Sequence, residues 1–124
     1  MDLASIRIIT HDVDRLVRFY EAVTGITATR PAPVFAELRT ARGTVAIAST
    51  VTVAMLGDQA PQPARNDSII IEFFVDDVDA EFARLHDVLD DVALPPTTMP
   101  WGNRSMLFRD PDGNLVNLFS RPAP

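Results

Sequence analysis

The chain has 124 residues and a net charge of −6, with no cysteine and with arginine as its only basic residue besides two histidines. That length is enough for one domain with a buried core that needs no disulfide or metal to fold. The composition excludes thiol nucleophiles, thiolate metal sites, disulfides, Schiff-base lysines and the phosphate-loop lysine.

An apolar share of 47% and a charged share of 23% are ordinary for a globular protein. Charge is unevenly placed: residues 1–62 hold six acids and six arginines, residues 63–124 eleven acids and five arginines. An acidic chain without a basic stripe is a poor partner for nucleic acid. No apolar run approaches the length that crosses a membrane, and the first residues lack a signal-peptide pattern. A cytoplasmic protein with no nucleic-acid and no membrane partner is expected.

Leu3 to Ile9 is rich in isoleucine and reads as a strand. Asp12 then offers an N-cap, and Val13, Leu16, Tyr20 and Val23 share one helical face ending at Gly25. Arg30 to Pro33 reads as a loop. Val34–Leu38 and Thr44–Ala48 read as a hairpin around Gly43, and Val51–Leu56 as a further strand. Residues 58–67 are polar, hold two prolines and read as a linker.

The pattern then restarts. Ser68 to Val75 reads as a strand, and Val78, Phe82, Leu85 and Val88 as one face of a helix over residues 77–90. Val92 to Met99 holds Pro95 and Pro96 and can only be an edge or irregular strand. Ser105–Arg109 and Leu115–Phe119 flank the turn Asp110-Pro111-Asp112-Gly113-Asn114, and residues 121–124 form a tail. A shift of 65 places Asp12, Val13, Asp14 and Val23 on Asp77, Val78, Asp79 and Val88; placing Gly43 on Gly113 needs a shift of 70. The element order βαβββ thus occurs twice, in modules 1–57 and 68–121 of one domain.

The stretch from Ile9 to Gly25 resembles the opening of vicinal oxygen chelate proteins, the glyoxalase, bleomycin-resistance and extradiol dioxygenase families. Pro100 to Phe119, with its Asp-Pro-Asp-Gly-Asn turn, is similar to their closing hairpin. The resemblance implies an α+β fold of two βαβββ modules whose curled mixed sheets form a cleft, and a homodimer. It also implies up to four metal-ligand positions, which fall here on Ser5, Ile47, Ile70 and Asn117. Two isoleucines, a hydroxyl and an amide are the wrong donors for a first-row metal. No metal and no cofactor are therefore expected. The implied function is sequestration of a small or medium organic molecule in an apolar cleft, as in the bleomycin-resistance branch. The alternative is an enzyme of the same fold.

Strand alternation puts Arg7 and Glu72 on the same faces as Ser5 and Ile70, and the 65-residue shift relates them. They read as a structural ion pair, as ligand contacts, or, with Glu72 as general base, as a proton-transfer site. Trp101, Phe35 and Met55 read as aromatic and flexible apolar ligand contacts or as packing residues. His11 and His86 read as solvated residues. Arg104 and Arg109 read as anion contacts or as partners of the acids Asp110 and Asp112.

Overall fold

The computed structural model describes residues 1–122, so Ala123 and Pro124 of the expected tail lie outside the described residues. It contains two compact units, Met1–Arg65 and Asn66–Pro124. Among the described residues no helix is long and apolar enough to cross a membrane.

In the first unit, β1 (Ile6–Thr10) leads into α1 (Val13–Thr24), followed by β2 (Thr29–Ala32), β3 (Phe35–Arg39) and β4 (Thr44–Ser49). In the second, β5 (Ile70–Phe74) leads into α2 (Val78–Arg84), then β6 (Val92–Thr98), β7 (Arg104–Arg109) and β8 (Leu115–Ser120). The strand orders are β1-β4-β3-β2 and β5-β8-β7-β6. The first strand of each unit pairs in parallel with the last, and the other pairings are antiparallel. Two unclosed, four-stranded mixed sheets with helices make this an α+β fold built of two βαβββ modules.

Both helices begin where the sequence places a cap. The Asp12 carboxylate accepts from the Arg15 amide at 3.0 Å, and the Asp77 carboxylate from the Ala80 amide at 3.0 Å. Helix α1 buries Val13, Leu16, Val17, Tyr20 and Val23. Beneath α2, the buried side chains are Met106, Phe108, Val116 and Leu118. Each such side chain contributes about 1.5–3 kcal/mol by leaving water.

Four local expectations are corrected. Helix α2 stops at Arg84 rather than reaching residue 90, and the chain continues as a turn in which the Val88 amide donates to the Leu85 carbonyl. A longer helix would set Asp87 and Asp90 in its last turn, against the helix dipole. Residues 51–56 are not a strand but part of a 3₁₀ helix, Thr50–Gln59, kinked at Gly57. There the Ser49 hydroxyl accepts from the Val51 amide and the Thr52 hydroxyl donates to the Ser49 carbonyl, local bonds that compete with strand pairing. Arg30 to Ala32 is not loop but belongs to β2, where an edge position tolerates Pro31. The expected linker 58–67 is in part structured: Asp58 and Gln59 close the 3₁₀ helix, and the Asn66 side-chain nitrogen donates to the Asn114 side-chain oxygen at 3.1 Å.

A fifth correction concerns register. Arg7 pairs with Ala46, and Glu72 pairs with Asn117. The module equivalent of Asn117 is therefore Ala46, not Ile47. The first hairpin closes with Thr40 bonded to Gly43, the second with Asp110 bonded to Asn114, one residue longer. Aligning the two glycines thus slips β4 by one residue, which moves every side chain to the opposite face. Ile47 is fully buried and pairs with Ala36, on the face opposite Arg7.

The longer turn is built around Asp110. Its carboxylate accepts from the Asp112 amide, the Asn114 amide and the Asn114 side-chain nitrogen, at 2.9, 2.9 and 2.7 Å. Across the sheet, Arg104 makes a two-pronged contact with Asp79 of α2 at 2.6 and 2.7 Å. That hydrogen bonding holds the Asp79 carboxyl below its usual range and raises the Arg104 guanidinium. A depressed carboxyl stabilises the fold above the unfolded value of about 3.9, and the effect is lost as pH falls through the folded value. The pair is solvent-exposed, so the effect is small. Asp79→Asn is expected to melt below the wild type at pH 6, with the gap narrowing as pH falls below about 3.9. Melting curves with an equal gap above and below that value would show that the pair does not set it.

Candidate functional site

Pairing and alternation lay out the open face of the second sheet in three rows. Ile70, Leu115 and Arg109 form one row; Glu72, Asn117 and Leu107 the next; Phe74, Phe119 and Ser105 the third. Ile71, Val116, Met106 and Phe108 point the other way, into the core beneath α2. The open face is thus apolar at most positions, with one carboxylate and one amide at its centre.

These two are bonded. The Asn117 side-chain nitrogen donates to a Glu72 carboxylate oxygen at 2.8 Å. Asn117 is 8% exposed, and its side-chain oxygen is buried without a hydrogen-bond partner among the described residues. An unpaired buried carbonyl costs about 1–3 kcal/mol. Glu72 itself is exposed rather than enclosed by its apolar neighbours. The face therefore offers an acceptor carboxylate whose orientation is held by a buried amide. Beside it, Phe74 and Phe119 stack edge to face at 5.5 Å, and the Arg121 guanidinium lies 5.2 Å from the Phe74 ring.

The equivalent row in the first unit is Arg7, Ala46 and Glu37. Arg7 is exposed, and Glu37 is bonded to Arg39 at 2.9 Å. Glu37 was legible as a strand residue two places after Phe35, but not as Arg7's row-mate, because that depends on the β4 register.

The other expected residues are spread more widely. Ser5 is exposed and just precedes β1; Ile70 is exposed on the open face of the second sheet. Phe35 packs on the cluster of Ile9, Ala48 and Val53. Met55 stands 92% exposed on the 3₁₀ helix. Trp101 is exposed in the β6–β7 turn, beyond the Phe74–Phe119 row. That turn needs the positive φ of Gly102, at 101°. His11 and His86 are exposed, and His86 contacts Asp87. Arg104 takes Asp79 as its partner rather than a hairpin acid, and an Arg109 nitrogen donates to the Gly113 carbonyl at 3.0 Å.

The model of the Glyoxalase/Bleomycin resistance protein/Dioxygenase superfamily matches residues 2–118. The chain belongs to this superfamily. Solved structures agree on the fold of this superfamily member. A glyoxalase-related enzyme from Fulvimarina pelagi is 18% identical, with a TM-score of 0.81 over 98% of this chain and 88% of that one. A glyoxalase/bleomycin resistance protein/dioxygenase from Nocardioides is 20% identical, with a TM-score of 0.80 over 98% and 84%. A lactoylglutathione lyase from Agrobacterium tumefaciens is 20% identical, with a TM-score of 0.73 over 96% and 92%. At these identities the likeness extends to the fold. No curated protein matches the sequence significantly.

The superfamily implies a divalent metal in some members, and the donor set here does not fit one. With the register corrected, the four positions hold Ser5, Ala46, Ile70 and Asn117. A methyl group and an alkyl chain donate nothing, a hydroxyl donates weakly, and the Asn117 oxygen is buried. Among the described residues no three His, Asp or Glu side chains form a metal-binding group.

Asn117→Leu keeps the volume of the side chain and removes both the orphaned oxygen and the bond to Glu72. It is expected to leave the melting temperature unchanged or raise it. A loss of more than about 2 kcal/mol in denaturant titration would mean that the amide is a structural requirement of the sheet.

Proposed function

We propose that this superfamily member binds a small or medium organic molecule without a metal, by laying it on the open face of the second sheet, as a sequestering protein of the bleomycin-resistance kind. The observation that carries this reading is the Glu72–Asn117 pair: a buried amide with an unsatisfied oxygen, kept where it aims a carboxylate out of an apolar face. A structure has reason to keep such a cost where the group works on something outside the fold.

The chemistry of the face defines the ligand. Glu72 calls for a cationic or hydrogen-bond-donating group. Ile70, Phe74 and Phe119 call for an apolar or aromatic body, with Trp101 as a further stacking surface at that end of the sheet. The acidic balance of residues 63–124 favours cationic, amphipathic molecules over anionic ones. Arg7, with Glu37 in its row, is a candidate polar contact of the first sheet in its own right. A cytoplasmic homodimer is part of the same proposal.

The accessible carboxylate supports a second reading, an enzyme in which Glu72 takes a proton from a carbon beside a carbonyl group. One variant separates the two. A thermal-shift screen of cationic aromatic natural products is expected to yield saturable stabilisation without turnover. Glu72→Gln should then weaken a cationic ligand about tenfold and spare a neutral one. Turnover in the wild type, abolished by Glu72→Gln while binding persists, would establish the enzyme instead.

A further inference from the structure

The second unit also carries a pocket, at the end of the sheet opposite Trp101. It has a volume of about 190 Å³ and opens where the chain enters β5. Its apolar lining is Ile69, Ile70 and Leu115; its polar lining is Asn66, Asp67, Ser68 and Arg109. None of these polar groups belongs to the Glu72–Asn117 pair.

The loop that shapes the pocket is fixed locally. The Asn66 side-chain oxygen accepts from the Ser68 and Ile69 amides, and its nitrogen donates to the Ile69 carbonyl and to the Asn114 side chain. All polar atoms of Asn66's amide are thereby used inside the fold. Arg109 is anchored through one nitrogen to the Gly113 carbonyl, which leaves donors of its guanidinium unspent.

Asp67 and Arg109 line the same pocket, yet no ion pair joins them, and the Asp67 carboxylate has no partner among the described residues. Two exposed residues of opposite charge thus line one pocket without pairing, beside the apolar Ile69, Ile70 and Leu115. A purely anionic or purely cationic guest would satisfy one and leave the other facing a like charge or nothing. A molecule carrying both charges satisfies both at once. The volume equals that of about six liquid waters, which sets the guest at small size.

We propose that this pocket binds a small zwitterion of the amino-acid class, its carboxylate on Arg109, its ammonium on Asp67 and an apolar side chain over Ile69, Ile70 and Leu115. This pocket shares Ile70 with the Glu72 face but none of its polar groups, and its test does not require the reading of that face. It is tested on the intact protein by titrating amide NMR signals with L-leucine, with leucine amide, which lacks the anion, and with N-acetyl-leucine, which lacks the cation. Leucine is expected to shift the amides of residues 67–70 and 109 saturably, with each analogue at least about tenfold weaker. Asp67→Asn, which removes no bond within the fold, and Arg109→Gln should each weaken leucine by a similar factor, with the signals of α1 unmoved. Unshifted amides at millimolar leucine, an analogue that binds as tightly as leucine, or an Asp67→Asn variant that binds like the wild type would overturn the proposal.

Discussion

The parallel pairing of the first and last strands of each unit is the constraint on which the rest depends. Because β8 lies between β5 and β7, the partners of each of its residues on both sides are set together. One residue of slip would carry Asn117 into the core beneath α2 and bring Val116 or Leu118 out beside Glu72. The same register that buries Val116 and Leu118 therefore creates the carboxylate–amide pair. The five-residue turn built around Asp110 fixes the β7–β8 side of that register, since its carboxylate closes the loop at three points.

The two units use one plan for different ends. In the first, the row equivalent to Glu72–Asn117–Leu107 is Arg7–Ala46–Glu37, so an alanine stands where the second has an amide. Neighbouring positions Ile9, Ala48 and Phe35 are closed over by Val53 of the 3₁₀ helix. In the second, the corresponding positions Phe74 and Phe119 pack on one another, and Phe74 stays exposed. The open apolar surface with a polar centre is thus a property of the second unit.

Much of this was legible in the residues. The restart after residue 67, the aspartate caps and the Asp-Pro-Asp-Gly-Asn turn announced two βαβββ modules and their family. The site was legible in part. Glu72 stands out as a charge within an apolar strand, and Asn117 by its place in the closing hairpin. Their hydrogen bond does not, because it depends on strand register between residues 45 positions apart in the chain. Ile47 was misplaced because two turn glycines look equivalent while their turns differ by one residue. The 3₁₀ helix escaped because Val51–Leu56 is apolar enough for a strand, while the local bonds of the Ser49 and Thr52 hydroxyls favour a helical turn.

The central claim is that a ligand is held on the Glu72–Asn117 face without a metal. Calorimetric titration of a ligand found by screening, with wild type and Asn117→Leu protein before and after exhaustive chelation, tests it most directly. The account predicts affinity that is indifferent to chelation and weakened at least about tenfold when Glu72 loses the amide that orients it. Affinity that disappears on chelation and returns with added metal, with Asn117→Leu binding like the wild type, would contradict it.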